Sequence, residues 1–502
     1  MLPPVDRRRF LSAGLLGLTQ KSERRLAGGF VDNSHLTGHR LRDGGGFPSV
    51  KRTVQTPVLI VGGGMAGLCA AWRLRKRGVD GFLILDMEQS AGGNSRYGEN
   101  EVSAYPWAAH YIPVPDVRST LVRELMTEVG LLRDGVWEER HLCHAPQERL
   151  FLHGRWQEGL EPELGVTRND RDQYKRFHER MAEFAGSGEF RVPMETGIRK
   201  RQDLDRLSMT AWMDAGQFTS PYLRWLVDYS CRDDYGAAAR SVSAWAGIHY
   251  FASRGSAERG PLTWPEGNGW IVKKLLGMVG DRVRTGAFVH RIESAGARYR
   301  VLAGDAEYRA DAIIFAAPTY LARHLMDHAP HWNGEYSPWL TANLTLERLP
   351  AQKGFAQAWD SVIYRSPALG YVDATHQSLR LYRDRRVWTY YWALADRPPA
   401  EARKLLLERS WSAWTEDILA DLERAHPDIR QCVSRIDVMR MGHAMIRPAV
   451  GFVSSESRAN AARAHGRLVF ANSDLSGLSL FEEAQFRGVA AADRVVSLLS
   501  RR

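Results

Sequence analysis

Short apolar runs alternate with an amphipathic segment near the start of the folded part of the chain, and this alternation predicts a βαβ unit. Residues 58–61 form a β-branched apolar run typical of a strand buried on both faces of a parallel sheet. Helix-forming residues follow over 66–75 and stop at Gly78, which suits a helix C-terminus. A second apolar run, residues 82–85, predicts the next parallel strand.

The rest of the pattern predicts further regions of α and β structure. Residues 117–255 are expected to be mainly helical, because apolar residues recur at helical spacing. Residues 338–398 are rich in Tyr, Trp, Leu and Val, and they suit an antiparallel sheet with one buried face. The other predicted elements are helices 121–132, 174–183, 270–279, 400–425 and 482–499 and strands 287–292, 298–301, 312–317 and 467–471.

A glycine motif separates the first strand from the first helix. Gly62, Gly64 and Gly67 occupy G-x-G-x-x-G positions, which permit a tight turn, close approach to a pyrophosphate and packing of the helix on the strand. Asp86 ends the second strand 19 residues after Gly67, where an acid can bind a ribose hydroxyl. The pair Gly92-Gly93 follows six residues later. These features predict a dinucleotide site with its phosphates at the helix N-terminus.

A strand and a helix of the same type return about 400 residues later, at 467–471 and 482–499. A ligand touched by both parts of the chain should be long, and the N-terminus of the last helix can stabilise an electron-rich group. An NAD site is normally completed within one contiguous domain, whereas an FAD site in a two-lobed enzyme is interleaved in this way. The spacing therefore favours FAD.

Composition sets the broad class. A chain of 502 residues can form two or three domains or one two-lobed enzyme, and its 44% hydrophobic and 25% charged residues are typical of soluble globular proteins. No apolar run approaches the ~18 residues of a transmembrane helix. The four cysteines lack CxxC or metal-ligand spacing, so neither a disulfide framework nor a metal site is expected.

The net charge of +10 is concentrated in residues 1–52, which hold ten Lys and Arg against four acids. No other region has a concentrated basic face, so nucleic acid is not an expected partner. Arg7-Arg8-Arg9-Phe10-Leu11 is similar to a twin-arginine export signal, and an apolar stretch follows to Leu18. A disordered basic tail is the alternative. Twin-arginine export moves folded proteins, so we expect a periplasmic protein that receives its cofactor before export, with residues 20–52 as a linker.

The chain resembles the flavin-containing amine oxidase superfamily over roughly residues 56–500. That superfamily includes monoamine and polyamine oxidases, phytoene-type desaturases and protoporphyrinogen oxidase. The resemblance rests on four groups in family order: the glycine motif with Asp86; Gly92-Gly93-Asn94-Ser95; residues 289–292 with Ala316-Ala317-Pro318; and Phe470-Ala471-Asn472-Ser473-Asp474 with Glu482-Glu483-Ala484 and Gly488. It implies noncovalent FAD, since no cysteine lies at the usual attachment position near the C-terminal motif.

The resemblance implies an α/β fold, in which an interleaved Rossmann-like FAD-binding domain is joined to a substrate domain with a mixed or antiparallel sheet and helices. The predicted divisions are 1–52 for the signal and linker, 53–115, 264–330 and 441–502 for FAD binding, 116–263 for a helical substrate or cap region, and 331–440 for the substrate domain. The implied cofactor-binding residues are Gly62, Gly64, Met65, Ala66, Gly67, Asp86, Gly92, Gly93, Asn94, Val289, Ser473, Asp474, Glu483 and Ala484.

Several positions depart from the family pattern. Asn94 stands where the family usually has an arginine, so Arg96 is a candidate for neutralising the pyrophosphate. Asn343 aligns with the lysine that holds a water at flavin N5 in many amine oxidases. Leu480 replaces one of the two aromatic rings that flank the flavin, although Phe481 is adjacent. The site therefore differs from a standard amine oxidase cage.

Four residues are the candidates for catalysis: His443, Asn343, Trp107 and Tyr111. His443 is either an acid–base group, a polar anchor or a structural histidine. Trp107 and Tyr111 fall where the family chain passes the flavin, and core packing is their alternative role.

The predicted function is FAD-dependent oxidation of a small molecule, with hydride transfer from a CH–NH bond to flavin N5. The electron acceptor is oxygen, a quinone or a protein, and the sequence leaves the oligomeric state open. One alternative is a desaturase-like FAD enzyme that oxidises CH–CH bonds. Others are a non-catalytic flavoprotein partner in the cell envelope and, disfavoured by the split nucleotide fold, an NAD(P)-dependent dehydrogenase.

Overall fold

The computed structural model of the protein describes residues 26–31, 34–198, 201–254, 260–378 and 384–500. Within these ranges the chain forms two large sheets that are covered by helices. The predicted twin-arginine segment, residues 7–11, lies outside the described residues.

The first sheet, called here the nucleotide sheet, is assembled from distant parts of the chain. Its central strand, Arg52–Val61, pairs in parallel with a strand on each side, and residues 58–61 are buried. Across the described part of the sheet the strands are Val283–Arg284, Phe82–Leu85, Arg52–Val61, Ala306–Phe315, Arg298–Ala303 and Val289–Ala295, with Leu468–Phe470 beside Ala306–Phe315. The predicted return of the chain to this sheet is confirmed.

The second sheet, the large sheet, contains most of the strands predicted as antiparallel. Its described strands lie in the order Ala27–Val31, Val433–Ile446, Tyr336–Leu346, Arg386–Ala393, Gly370–Asp373, Asp360–Ile363, Glu148–Leu152 and Arg155–Glu158. Short pairs also form between Leu262–Thr263 and Tyr111–Ile112, between Tyr97–Glu99 and Ala104–Pro106, and between Leu132–Arg133 and Val136–Trp137.

Helices cover both sheets, as expected for an α/β protein. The described α-helices are His35–Arg42, Met65–Lys76, Thr120–Glu128, Arg168–Gly186, Gln202–Asp205, Met209–Ala215, Pro221–Tyr235, Ala244–Ser253, Gly269–Val279, Ala322–Leu325, Pro399–Glu408, Trp411–Glu423, Ile429–Cys432, Glu456–Ala461 and Phe481–Leu499. In the described part of the chain no helix has the length and apolar character needed to cross a membrane.

The first helix of the nucleotide fold, Met65–Lys76, packs closely on the last helix, Phe481–Leu499. A Cβ atom on Gly488 would lie 2.2 Å from the carbonyl oxygen of Ala66, so only glycine allows this approach. Arg73 adds a bidentate ion pair to Asp493, with both nitrogen–oxygen distances at 2.9 Å. The two ends of the nucleotide fold are therefore held together by direct contact.

Part of the segment predicted as a linker is ordered structure. Ala27–Val31 is an edge strand that pairs in parallel with Val433–Ile446, and His35–Arg42 is a helix. At Gly28, where φ is +123°, a Cβ would lie 1.9 Å from the carbonyl oxygen of Ile436, so glycine permits the pairing. The linker prediction failed here because the partner strand lies about 400 residues away and the local apolar signal is short.

Two other local predictions differ from the structure. Residues 148–158, placed in the mainly helical region, form a hairpin that extends the large sheet. The helix predicted over 400–425 is two helices, because the chain turns at Arg409 and Ser410 caps the second helix by accepting a hydrogen bond from the Ala413 amide at 3.2 Å.

We expect Gly488→Ala to lower the free energy of unfolding by about 1–3 kcal/mol, because its new methyl group would overlap the Ala66 carbonyl. Denaturant unfolding of the purified protein measures this change. Gly277→Ala is the matched control, because a Cβ at this helical position has no neighbour within 4 Å. It should raise stability by up to about 1 kcal/mol. Equal effects of the two changes would contradict the close packing.

Candidate functional site

A cavity of about 730 Å³ opens at the carboxyl ends of the parallel strands of the nucleotide sheet. This edge is where ligands bind in open α/β sheets. Its lining includes the predicted residues Gly62, Gly64, Met65, Ala66, Asp86, Gly92, Gly93, Asn94, Val289, Ser473, Asp474, Ala484 and His443. Gly67, Asn343, Trp107, Tyr111 and Glu483 do not line it. The functional roles assigned to all of these residues stay predictions.

The glycine turn shapes one end of the cavity. Gly62 has φ of +106°, and a Cβ there would lie 2.7 Å from the Ala317 nitrogen, so the turn requires glycine. Gly64 precedes the helix in an extended conformation, and no side chain caps this helix N-terminus. The first amide groups of the helix are therefore available to an anion in the cavity. Gly67 lies on the inner side of the helix, where a Cβ would overlap the Gly62 carbonyl oxygen at 2.0 Å.

Asp86 fixes this turn. One carboxylate oxygen accepts a hydrogen bond from the Gly63 amide at 2.8 Å, and the other accepts one from the Glu88 amide at 2.8 Å. The carboxylate also lines the cavity. The sequence located this residue correctly at the end of the strand but did not indicate that it binds the glycine turn.

The second glycine pair, Gly92-Gly93, forms another part of the cavity wall. Gly92 donates its amide hydrogen to the Gly63 carbonyl at 2.8 Å, and Gly92 and Gly93 both have positive φ. Asn94 donates to the Ala444 carbonyl at 2.6 Å and so joins this wall to the distal part of the cavity. Arg96, the candidate for neutralising a pyrophosphate, forms an ion pair with Glu88 at 3.2 Å.

The C-terminal motif, residues 470–474, connects the strand Leu468–Phe470 by hydrogen bonds to the neighbouring turn at Thr319. Asp474 accepts hydrogen bonds from the Tyr336 hydroxyl at 2.5 Å and from the Thr319 amide at 2.8 Å. Burial raises the pKa of its carboxyl. Ser473 and Ala484 contact the cavity beside it.

The two glutamates at the start of the last helix are buried and do not line the cavity. Glu483 is fully buried and accepts a hydrogen bond from the Met194 amide at 2.6 Å. Burial raises the pKa of the Glu482 carboxyl to about 7. The cofactor-binding role of Glu483 stays a prediction.

His443 is the one catalytic candidate that lines the cavity. Its ring stacks on Tyr320 with centroids 4.4 Å apart. The side chain is exposed toward the cavity. Partial burial by the surrounding protein is the main cause that lowers its pKa to about 4, and the positive charge of Arg403 is the second cause. His443 is therefore neutral at pH 7 and lacks the second ring proton that an acid catalyst would donate.

The other three candidates lie behind the cavity wall. Asn343 donates to the Pro106 carbonyl at 3.1 Å and accepts from the Thr389 hydroxyl at 2.6 Å, so its amide is committed to buried partners. Trp107 packs edge-on against Tyr105 in the core. Tyr111 packs edge-on against Trp359, at a centroid distance of 5.9 Å.

Sequence reasoning missed part of the cavity wall. The helix His35–Arg42 and the side chains of Arg403 and Arg440 line it. The hydrophobic periodicity of the sequence did not predict that the helix His35–Arg42 lines the cavity. The position of this helix depends on the pairing of the preceding strand, Ala27–Val31, with the large sheet.

Comparison with known families and sequences matches part of the chain. Residues 60–129 match the family described as "NAD(P)-binding Rossmann-like domain". A Baeyer-Villiger monooxygenase of Penicillium patulum is 28% identical over 188 residues, which cover 36% of this chain and 28% of that protein. A ketocytochalasin monooxygenase of Aspergillus clavatus is 35% identical over 95 residues, 19% of this chain and 13% of that protein. In both cases the matched region spans less than a third of the length of the monooxygenase.

Solved structures match nearly the whole chain. Putrescine oxidase bound to putrescine superposes with a TM-score of 0.68 at 18% identity, covering 89% of this chain and 100% of that one. Cyclohexylamine oxidase from Brevibacterium oxydans IH-35A superposes with a TM-score of 0.66 at 15% identity, with the same coverage. The chain therefore has the amine oxidase fold, and the predicted fold class is confirmed.

We expect Gly64→Ala to separate binding from folding. A Cβ at Gly64 would meet nothing closer than the Gly93 Cα at 3.8 Å, so the stability of the cofactor-free protein should change by less than about 0.5 kcal/mol. The methyl group would occupy the phosphate approach, so bound dinucleotide should fall at least about 10-fold. Cofactor content after gel filtration measures this, with Gly277→Ala as the control. Unchanged cofactor content would contradict the assignment of the phosphate cradle.

Proposed function

We propose that the protein is an FAD-dependent oxidoreductase that oxidises the CH–NH bond of an amine. The observation that carries this proposal is one continuous cavity that is lined both by the glycine turn and by Ala444 and Leu480. A two-part dinucleotide with an extended ribityl chain fits such a cavity. When bound, FAD supplies a two-electron acceptor for a hydride.

The residues present suit this cofactor. The uncapped N-terminus of Met65–Lys76 would hold the pyrophosphate, and the glycine at position 64 leaves room for it. Asp86 and Val289 would hold the adenosine part, and Asp474 the ribityl chain. Among the described residues no cysteine lines the cavity, which supports noncovalent binding.

The protein's own contribution is to hold the substrate amine in its neutral form beside the cofactor. Met441, Leu480 and Phe481 give the distal end an apolar wall, and His443 adds no positive charge at pH 7. An apolar surrounding disfavours the ammonium form of an amine. A neutral nitrogen has the lone pair that CH–NH oxidation requires.

The structural neighbours support the amine class, because putrescine oxidase and cyclohexylamine oxidase are both named for an amine that they oxidise. The desaturase-like alternative rests on two observations. Asn343 is committed to Pro106 and Thr389, so it does not replace the family lysine as a water ligand, and Leu480 stands where the family has an aromatic ring.

We also propose export to the periplasm, supported by the similarity of residues 7–11 to a twin-arginine signal. Cell fractionation with Arg7, Arg8 and Arg9 replaced by lysine tests it. The changed protein should stay in the cytoplasm, whereas an unchanged periplasmic fraction would contradict the proposal.

The purified protein should be yellow and should bleach when an amine is added without oxygen. Absorbance spectra in an anaerobic cuvette measure this, with amines, polyenes and NADH as separate additions. Bleaching by polyenes alone would favour the desaturase-like alternative. A bound flavin that none of them bleaches would favour a non-catalytic flavoprotein. Readmitted oxygen or an added quinone then identifies the electron acceptor by the rate at which colour returns.

His443→Gln should leave the shape of the pH profile of kcat/KM unchanged between about pH 6 and 9. A histidine with a pKa of about 4 is already neutral throughout this range, so it does not titrate there. Steady-state oxidation of the best amine from the bleaching experiment measures the profile. Loss of an inflection near pH 6–7 in the variant would show that His443 titrates during turnover.

A further inference from the structure

The described part of the chain before the nucleotide fold joins the two large sheets. We call residues 26–31 and 34–51 the N-terminal arm. Its strand pairs in parallel with the last long strand of the large sheet. At its other end, the Phe47 ring stacks on His290 with centroids 4.1 Å apart and planes 3° from parallel. His290 lies on an outer strand of the nucleotide sheet, so the N-terminal arm crosses from one sheet to the other.

Between these two attachments, the helix His35–Arg42 turns one face toward the cofactor cavity. His35, Gly38, His39 and Arg42 line the cavity, and their spacing of three and four residues places them on one side of the helix. Leu36 lies on another side and is 64% exposed. The helix therefore stands between this part of the cavity and solvent.

The N-terminal arm also meets the part of the cavity assigned to adenosine. Leu41 lines the cavity and packs against the apolar cluster that contains Val289. Phe47 contacts Phe288 at a centroid distance of 6.0 Å, and Phe288 is itself part of the cavity wall. A dinucleotide that fills the cavity would thus contact the N-terminal arm as well as the nucleotide sheet.

The attachments of the N-terminal arm are slight compared with the packing of the two sheets. No residue of the helix His35–Arg42 is buried, and no side chain caps its N-terminus. The strand Ala27–Val31 lies at an edge of the large sheet as described, with a partner on one side. Elements with few buried contacts open locally at a low cost in free energy. The N-terminal arm can therefore open while both sheets stay folded.

We propose that the N-terminal arm is a retaining wall of the cofactor site, which opens to admit the dinucleotide and closes over the filled cavity. This inference rests on the proposed FAD binding and extends the site to residues that precede the glycine turn. A wall that must open before release slows dissociation. Binding is reciprocal, so the bound dinucleotide stabilises the closed arm in turn.

Gly28→Ala tests the wall at its strand. The new Cβ would lie 1.9 Å from the Ile436 carbonyl oxygen, so the strand should leave the large sheet. Gly29→Ala is the matched control, because a Cβ there meets nothing within 4 Å. Gel filtration of the holoprotein at timed intervals measures the flavin that stays bound. Gly28→Ala should release it at least about 10-fold faster than the wild type and Gly29→Ala.

Phe47→Ala tests the wall at its opposite end and decides the question if Gly28→Ala does not fold. It removes the stack on His290 and leaves the strand pairing intact. Release should be at least about 3-fold faster, in line with the loss of one aromatic pair. Circular dichroism and denaturant unfolding of the cofactor-free variants check that both sheets remain folded. Release at the wild-type rate from every folded variant would overturn the inference.

Hydrogen exchange provides a second readout on the unchanged protein. Amides of Ala27–Val31 should exchange at least about 5-fold faster after the cofactor is removed. Those of Trp411–Glu423, a helix without cavity-lining residues, should exchange at the same rate in both states. Equal exchange of the strand in both states would contradict the retaining wall.

The two proposals fail in different ways. If release and exchange change as expected but no amine bleaches the flavin, the retaining wall stands and the proposed amine oxidation fails. If amines bleach the flavin but release is unchanged in the variants, the oxidation stands and the retaining wall fails. A purified protein that binds no dinucleotide would overturn both.

Discussion

The contact between the first and last helices of the nucleotide fold is the constraint on which the cavity depends. Gly488 lets the backbone of Phe481–Leu499 approach the carbonyl of Ala66, and Gly67 lets the same first helix pack on the glycine turn. A side chain at Gly488 would push the two helices apart, and one at Gly67 would push the first helix away from the glycine turn. Because the cavity has walls from both ends of the chain, its shape follows from these two close approaches.

Charge is distributed unevenly around this frame. At the glycine end, Asp86 is stabilised by the amides of Gly63 and Glu88, and an uncapped helix N-terminus supplies positive potential. Met441, Leu480 and Phe481 give the cavity an apolar wall instead. The glycine turn thus suits phosphates, and the apolar wall suits a neutral substrate.

Local chemistry made the nucleotide part predictable from sequence. Gly62 is required by turn geometry, and the apolar run 82–85 ends at Asp86 as the motif demands. Features that depend on distant partners were not predictable. The strand Ala27–Val31 forms only against Val433–Ile446, and the direction of Glu483 is set by the Met194 amide.

The central claim is that one FAD molecule spans the cavity from the glycine turn to the last helix. A crystal structure of the yellow protein tests it most directly. The account predicts phosphate oxygens within hydrogen-bond distance of the amides at the start of Met65–Lys76 and an isoalloxazine ring beside Ala444 and Leu480. A cofactor bound elsewhere, or a dinucleotide that does not reach Leu480, would contradict it.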